Sequence, residues 1–264
     1  MNDNISDKEI IYSGLMDWDE AIGGFVPGQL IIIAGRPAMG KTAFAVTLFE
    51  KLAIIRDVPV AFFSLEMSTP QIILKLLTNV FNCTPDYFRE GQQCEVDEHA
   101  ILAHRVLKDT PLYIDDTPAL SLDTLESKIT ELKSEGIKVV IVDYMQLLDD
   151  FLKDVEVALA TLKRIAEEHK ITLIALSQVR RDDTQILPDG ALDVASSFRH
   201  FDESYVRYAD TVSVIHRPAY YSHEIWSSRY SNVAEIHFIK NNHCDVECIK
   251  LKFDGASSKF SNMN

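Results

Sequence analysis

At 264 residues, 47% of them apolar and 25% charged, the chain can bury an ample core, and no apolar run nears the ~18 residues of a membrane span. A formal charge of −14 excludes a protein that grips polyanionic nucleic acid by overall charge; such contact needs a local patch or a partner. Met1-Asn-Asp-Asn-Ile-Ser-Asp lacks the basic-then-apolar order of a secretory leader, and four cysteines are too few for a disulfide framework, so the expected compartment is cytoplasmic.

No repeat, low-complexity segment or Gly/Ser/Pro linker divides the sequence. The expectation is a flexible lead-in over residues 1–12 and one domain over 13–260. Leu15, Met16, Trp18 and Ile22 read as apolar anchors, with Trp18 as a core plug, and Val26-Pro27-Gly28-Gln29 has the composition of a tight turn. Then comes Gln29-Leu-Ile-Ile-Ile-Ala-Gly35-Arg-Pro-Ala-Met-Gly40-Lys41-Thr42, an apolar strand running into G-x-x-x-x-G-K-T, followed by a helix over 43–53. This is the strand, loop and helix order of a P-loop. Glycines at 35 and 40 let successive N–H groups turn toward phosphate oxygens, and the helix N-terminus favours the same anion. Gly35, Arg36, Pro37, Ala38, Met39, Gly40, Lys41, Thr42 and Ala43 are therefore the candidate contacts for ATP. Lys41 reaches the β/γ-phosphates, and the Thr42 hydroxyl faces Mg²⁺.

Residues 57–66 read as a buried parallel strand ending in Glu66, and Thr69-Pro70 opens a helix to about Phe81. The segment 83–108 reads as helical with an irregular middle around Gly91. A short strand at 112–115, a helix over 122–134 between Ser121 and Gly136, and a strand over 138–143 follow. A helix spans 155–169 and a strand 171–176 ends at Ser177-Gln178. Residues 180–202 read as a loop. The tail alternates like sheet over 211–217, 233–240 and 247–253. The sum is an α/β fold: an open, mostly parallel twisted sheet with helices on both faces and a C-terminal antiparallel hairpin. His243-Cys244 with Cys248 lacks paired metal-ligand spacing, and Cys248 reads as a strand side chain.

Ligands gather at the carboxyl ends of such strands, where this chain delivers residues 35–42, Glu66, Asp143 and Gln178. Asp143, about 100 residues past the P-loop and directly after Val-Val-Ile-Val, has the Walker B pattern of an acid for Mg²⁺. Glu66 is suited to polarise the water that attacks the γ-phosphate, although a helix N-terminal acid would also fit its context. Gln178 reads either as a donor to the γ-phosphate or as an ordinary strand-end polar residue.

Gly23-Gly-Phe-Val-Pro-Gly28, the loop Ile-Ala-Gly35-Arg-Pro-Ala-Met-Gly-Lys-Thr42, Phe63-Ser-Leu-Glu66-Met67, Val142-Asp143-Tyr144-Met-Gln146-Leu147 and Leu176-Ser177-Gln178 together resemble the ATPase domain of DnaB-type replicative helicases. The resemblance covers roughly residues 13–260. It implies a RecA-like P-loop NTPase core, homo-oligomeric six-membered rings with ATP at subunit interfaces, translocation on single-stranded DNA and replication partners. Glu66 matches the family's catalytic glutamate, Arg180 and Arg181 lie in the DNA-facing loop, and Arg89 and Gly91 match an Arg-x-Gly.

The departures are informative. Only about ten residues precede the match, where the family has an N-terminal domain. The family's Lys-x-Arg, whose arginine reaches the neighbour's γ-phosphate, reads Lys240-Asn241-Asn242 here. A missing arginine finger can cost ~10³–10⁵ in turnover; Lys240 can supply part of the charge, with Arg217 or Arg229 as substitutes. The family's Arg-x-Ser-Gly segment is disturbed, reading Arg199-His-Phe-Asp-Glu-Ser-Tyr-Val-Arg-Tyr-Ala-Asp210. Two other readings stay open: a catalytically weak DnaB-like module that binds ATP and regulates or joins a ring, and a RecA-like ATPase of the KaiC or RadA kind.

Overall fold

The computed structural model describes residues 10–89, 107–179, 185–187, 191–193, 203–220 and 232–263. After α1 (Met16–Ile22), the strand β1 (Leu30–Gly35) leads through the P-loop into α2 (Lys41–Phe49), which widens into a π-helical turn at Glu50–Ile55. β2 (Val60–Ser64), α3 (Thr69–Phe81), α4 (Pro85–Arg89), β3 (Leu112–Asp115), α5 (Leu122–Ser134) and β4 (Val139–Asp143) follow. A 3₁₀ turn at Met145–Leu147 precedes α6 (Val155–Glu168) and β5 (Thr172–Gln178). The remaining elements are β6 (Gln185–Ile186), β7 (Leu192–Asp193), α7 (Glu203–Tyr208), β8 (Thr211–His216), β9 (Val233–Asn241), β10 (Cys248–Asp254) and β11 (Lys259–Ser261).

One nine-stranded sheet runs β11-β10-β9-β8-β1-β5-β4-β2-β3. From β8 to β3 every pairing is parallel, while β8–β9, β9–β10 and β10–β11 are antiparallel. The expected mostly parallel sheet is present, and its antiparallel part is larger than a hairpin. Successive residues of β1 point to opposite faces, and both faces are covered. Ile31 and Ile33 join one core with residues of α1, α2 and α3, and Leu30 and Ile32 join a second with residues of α5 and α6. A parallel strand buried on both sides must be apolar throughout, which is why Leu-Ile-Ile-Ile-Ala-Gly shows no alternation.

Local signals set the element ends. Ser68 and Gln71 form a capping box at the start of α3, and Ser121 Oγ accepts the Thr124 N–H at 3.1 Å to open α5. Gly136, expected as the stop after α5, has φ 87°. Trp18 is fully buried between Phe44 and Phe238. Met16 is not an anchor, since it opens α1 on its outer face and is 65% exposed. Ile11, inside the expected flexible lead-in, exchanges backbone hydrogen bonds with Phe25 at 3.0 and 2.8 Å. No helix among the described residues is long and apolar enough to cross a membrane.

The expected loop at 180–202 contains the β6–β7 ladder, and the remainder of that loop lies outside the described residues. Of the expected helical segment 83–108, α4 and residues 107–109 are described. On the far side of the P-loop helix, Thr47, Asn79 and Ser257 form a buried polar knot that includes Phe260 N–H→Thr47 Oγ1 at 3.1 Å and Asn79 Nδ2→Ser257 O at 3.1 Å. It fastens β11 to α2 and α3.

Candidate active site

Strand register brings the functional residues to one rim. Ser64 pairs with Asp143, Val142 with Ala175, and Gly35 with Gln178, so β2, β4, β5 and β1 end side by side. The backbone of Leu65 donates to Asp143 O at 2.8 Å, and Ser64 Oγ donates to Met67 O at 2.6 Å. That tight turn sets the exposed Glu66 above the end of β4.

The loop achieves its curvature differently from the sequence expectation. Its left-handed residues are Ala38 (φ 66°) and Gly40 (φ 96°), not Gly35. Gly35 is needed for close packing: a Cβ there would stand 3.1 Å from Ile215 O and 3.3 Å from Lys41 Cγ. Arg36 and Pro37 are half-buried and Ala38 is exposed, whereas Met39 and Ala43 turn into the core.

Lys41 is 7% exposed, and its ammonium donates to Gly35 O at 2.8 Å and Arg36 O at 3.0 Å. Burial lowers its pKa to about 8, against the opposing charges of Asp143 and Glu66. Asp143 is 1% exposed; burial pushes its carboxyl up to about 6, although the Thr42 hydroxyl hydrogen-bonds it and lowers it. Glu66 raises it further, while Lys41 and Lys75 pull it down. Asp143 Oδ2 has no hydrogen-bond partner among the described residues. A buried carboxylate oxygen with no donor, next to a hydroxyl, is a fitting donor set for a divalent cation.

Gln178 is exposed at the tip of β5, its backbone N–H and C=O both held by the Gln146 side chain. Lys240 is not brought to this rim. Antiparallel β9 carries it away from the rim, opposite Val212, where its ammonium donates to Val206 O at 2.7 Å. Asn242 is exposed, and its backbone donates to Asp210 O at 3.1 Å. Arg180 and Arg181 lie outside the described residues, as do Arg229 and Gly91; Arg89 ends α4.

Three further side chains lie near the rim: Arg217, which the sequence offered as a substitute finger, and Lys75 and Gln146, to which it gave no role. Arg217, directly after β8, donates to Ala38 O at 3.5 Å and lies over the Phe253 ring at 4.0 Å, beside its own P-loop. Lys75 on α3 adds a positive field at Asp143. Gln146 links the ends of β4 and β5. The available signals were its nearness to Asp143 and its place in the Val142–Leu147 segment that resembles the family.

The model of the DnaB-like helicase C terminal domain matches residues 11–262. The chain belongs to that family. It is 33% identical over 259 residues to "Replicative DNA helicase DnaB" of Leifsonia xyli subsp. xyli (strain CTCB07), covering 95% of this chain and 55% of that protein. It is 34% identical over 262 residues to the protein of the same description from Buchnera aphidicola subsp. Schizaphis graminum (strain Sg), with 96% and 55% covered. Among solved structures, the "ATPase Domain of G40P" superposes with a TM-score of 0.84 at 25% identity, covering 96% of this chain and 91% of that one. The chain thus spans about half the length of the curated relatives it matches. Membership of the DnaB-like family sets aside the KaiC- or RadA-type reading.

Proposed function

We propose that this chain is the ATP-hydrolysing motor domain of a DnaB-like replicative helicase, working on single-stranded DNA in the cytoplasm as part of a head-to-tail ring. The observation that supports the reading is the strand register at the rim: Gly35 pairs with Gln178 and Ser64 with Asp143, so that the P-loop, the Glu66 turn and Asp143 lie at one end of the sheet. A phosphate cradle, an acid for a cation and an acid for water on one rim are the groups that hydrolysis of a triphosphate requires.

The residues divide the work as follows. Backbone N–H groups of residues 38–43, the end of the loop and the start of α2, hold the phosphates. Lys41 exchanges its two carbonyl partners for β/γ-phosphate oxygens, a short movement because it already spans the loop. Thr42 and Asp143 would hold Mg²⁺, whose chemistry when bound is to neutralise charge developing on the phosphoryl oxygens. Glu66, exposed on its turn, accepts the proton of the attacking water. Gln178 donates its amide to the γ-phosphate.

A second reading, a catalytically weak module that joins or regulates a ring, is favoured by one specific observation. Asn242 occupies the arginine-finger position, and Arg217 is committed beside its own loop. ATP turnover per chain, measured with and without single-stranded DNA beside sizing in ATP, separates the two. Turnover stimulated by DNA in a ring supports the motor; a monomer that binds ATP and ignores DNA supports the module.

A further inference from the structure

The geometry points to Gln146 as a positioning residue for hydrolysis, a clamp that fixes Gln178 at the rim. The inference rests on the reading that Gln178 contacts the γ-phosphate. Pairing between β4 and β5 ends at Val142 and Ala175, so the last residues of β5 lose their β4 partner. The Gln146 side chain takes that place. Its Oε1 accepts the Gln178 N–H at 3.2 Å, and its Nε2 donates to Gln178 O at 3.3 Å and to Ser177 Oγ at 2.7 Å. A primary amide offers one acceptor and two donors, which is what the N–H, C=O and hydroxyl at this point require. The third neighbour of Nε2, Tyr205 OH at 3.5 Å, is too distant to compete.

The other side of Gln178 is closed by the P-loop strand. Gly35 is its register partner, and Val179 N–H donates to Gly35 O at 3.1 Å. Gln178 is therefore gripped between the first P-loop residue and a side chain three positions after Asp143, with only its own side chain facing out. The Gln146 amide is engaged by Gln178 and Ser177. It fixes where the sensing amide stands. Ser177 Oγ carries the contact on to Tyr205 OH at 3.3 Å on α7, whose Val206 carbonyl is held by Lys240. The same clamp thus touches the route from the rim to the opposite end of the sheet.

No other side chain of this size fills the role. Leucine would take the side-chain partner from both the N–H and the C=O of Gln178, and leave Ser177 Oγ with Tyr205 OH alone. Glutamate keeps the acceptor but loses both donors, and adds negative charge beside Asp143 and Glu66.

The test compares Gln146→Leu, Gln146→Glu and Gln178→Ala for ATP affinity, kcat, melting temperature and stimulation by single-stranded DNA. Both Gln146 variants are expected to bind ATP within a few-fold of wild type and to lose kcat on the order of 10–100-fold, the scale of a misplaced contact. The pair Gln146→Leu with Gln178→Ala should cost no more than the worse single change. Wild-type kcat in the Gln146 variants beside an impaired Gln178→Ala overturns the clamp alone. Wild-type kcat in Gln178→Ala overturns the reading beneath it, and the clamp with it. Losses confined to melting temperature and binding stoichiometry, with kcat per bound ATP unchanged, also overturn the clamp, because a purely structural glutamine would give that result.

Discussion

At the scale of single residues, the site carries a cost that its function explains. Burial lifts the Asp143 carboxyl from 3.8 to about 6, so the folded protein keeps a proton that the unfolded chain has already released. Stability therefore falls as pH rises between about 4 and 6. Above that range the buried carboxylate is a constant penalty on the order of 3 kcal/mol. Asp143→Asn removes it. The nucleotide-free variant is expected to melt above wild type at neutral pH, the gap closing toward about pH 4, while losing the Mg²⁺-dependent gain in melting temperature that ATP gives wild type. Thermal melts across pH, with and without Mg²⁺ and ATP, check both halves; a variant that melts lower at neutral pH would show that the charge is not the cost. Asp143 and Glu66 were visible in the sequence because each directly follows an apolar strand. The loop's conformation was not. Nothing in Arg36-Pro-Ala-Met marks Ala38 as left-handed or shows that Gly35 is required by the Ile215 carbonyl, a contact from residues far along the chain.

At the scale of elements, the C-terminal strands support the P-loop from behind. Phe260 on β11 is fully buried, with ring centroids 5.1 Å from Phe44 and 4.8 Å from Phe253, and its ring edge would lie 3.2 Å from a Cβ on Gly40. Phe260→Ala is expected to cost about 3–5 kcal/mol and to weaken ATP binding as well. Phe151→Ala, an equally buried change in the other core, should cost a similar amount without changing ATP affinity beyond the fraction unfolded. Denaturant melts beside ATP titrations distinguish them, and equal affinities in the two variants would contradict the support. Sequence periodicity reached β1, β2, β4 and β5 because strands buried on both faces are long apolar runs. It missed β11 and α7, three and six residues long and too short to show a period, whose burial depends on partners distant in sequence: Phe44 and Thr47 of α2 for one, α6 and Lys240 for the other. Gln146 escaped for the same reason, since its role exists only once β4 and β5 lie side by side.

At the scale of the whole molecule, the sheet separates two groups of residues that the sequence linked to ATP. The P-loop, Glu66, Asp143 and Gln178 occupy the carboxyl rim, while Lys240 and Asn242 lie toward the amino ends of the same strands. In the proposed ring, a head-to-tail contact would bring one chain's Lys240 end to another's rim; such contacts close into rings when the rotation allows. A net charge of −14 leaves DNA attraction to local patches, which is why stimulation by single-stranded DNA has to be measured rather than read from composition.

All three scales meet in one claim, that a phosphate cradle and two acids at this rim form a hydrolytic site. Its most direct test is ATP binding and single-turnover hydrolysis measured side by side for wild type, Lys41→Ala and Glu66→Gln. Lys41→Ala should lose binding, whereas Glu66→Gln should bind ATP as wild type does and leave it intact. Hydrolysis by Glu66→Gln at the wild-type rate would contradict the account.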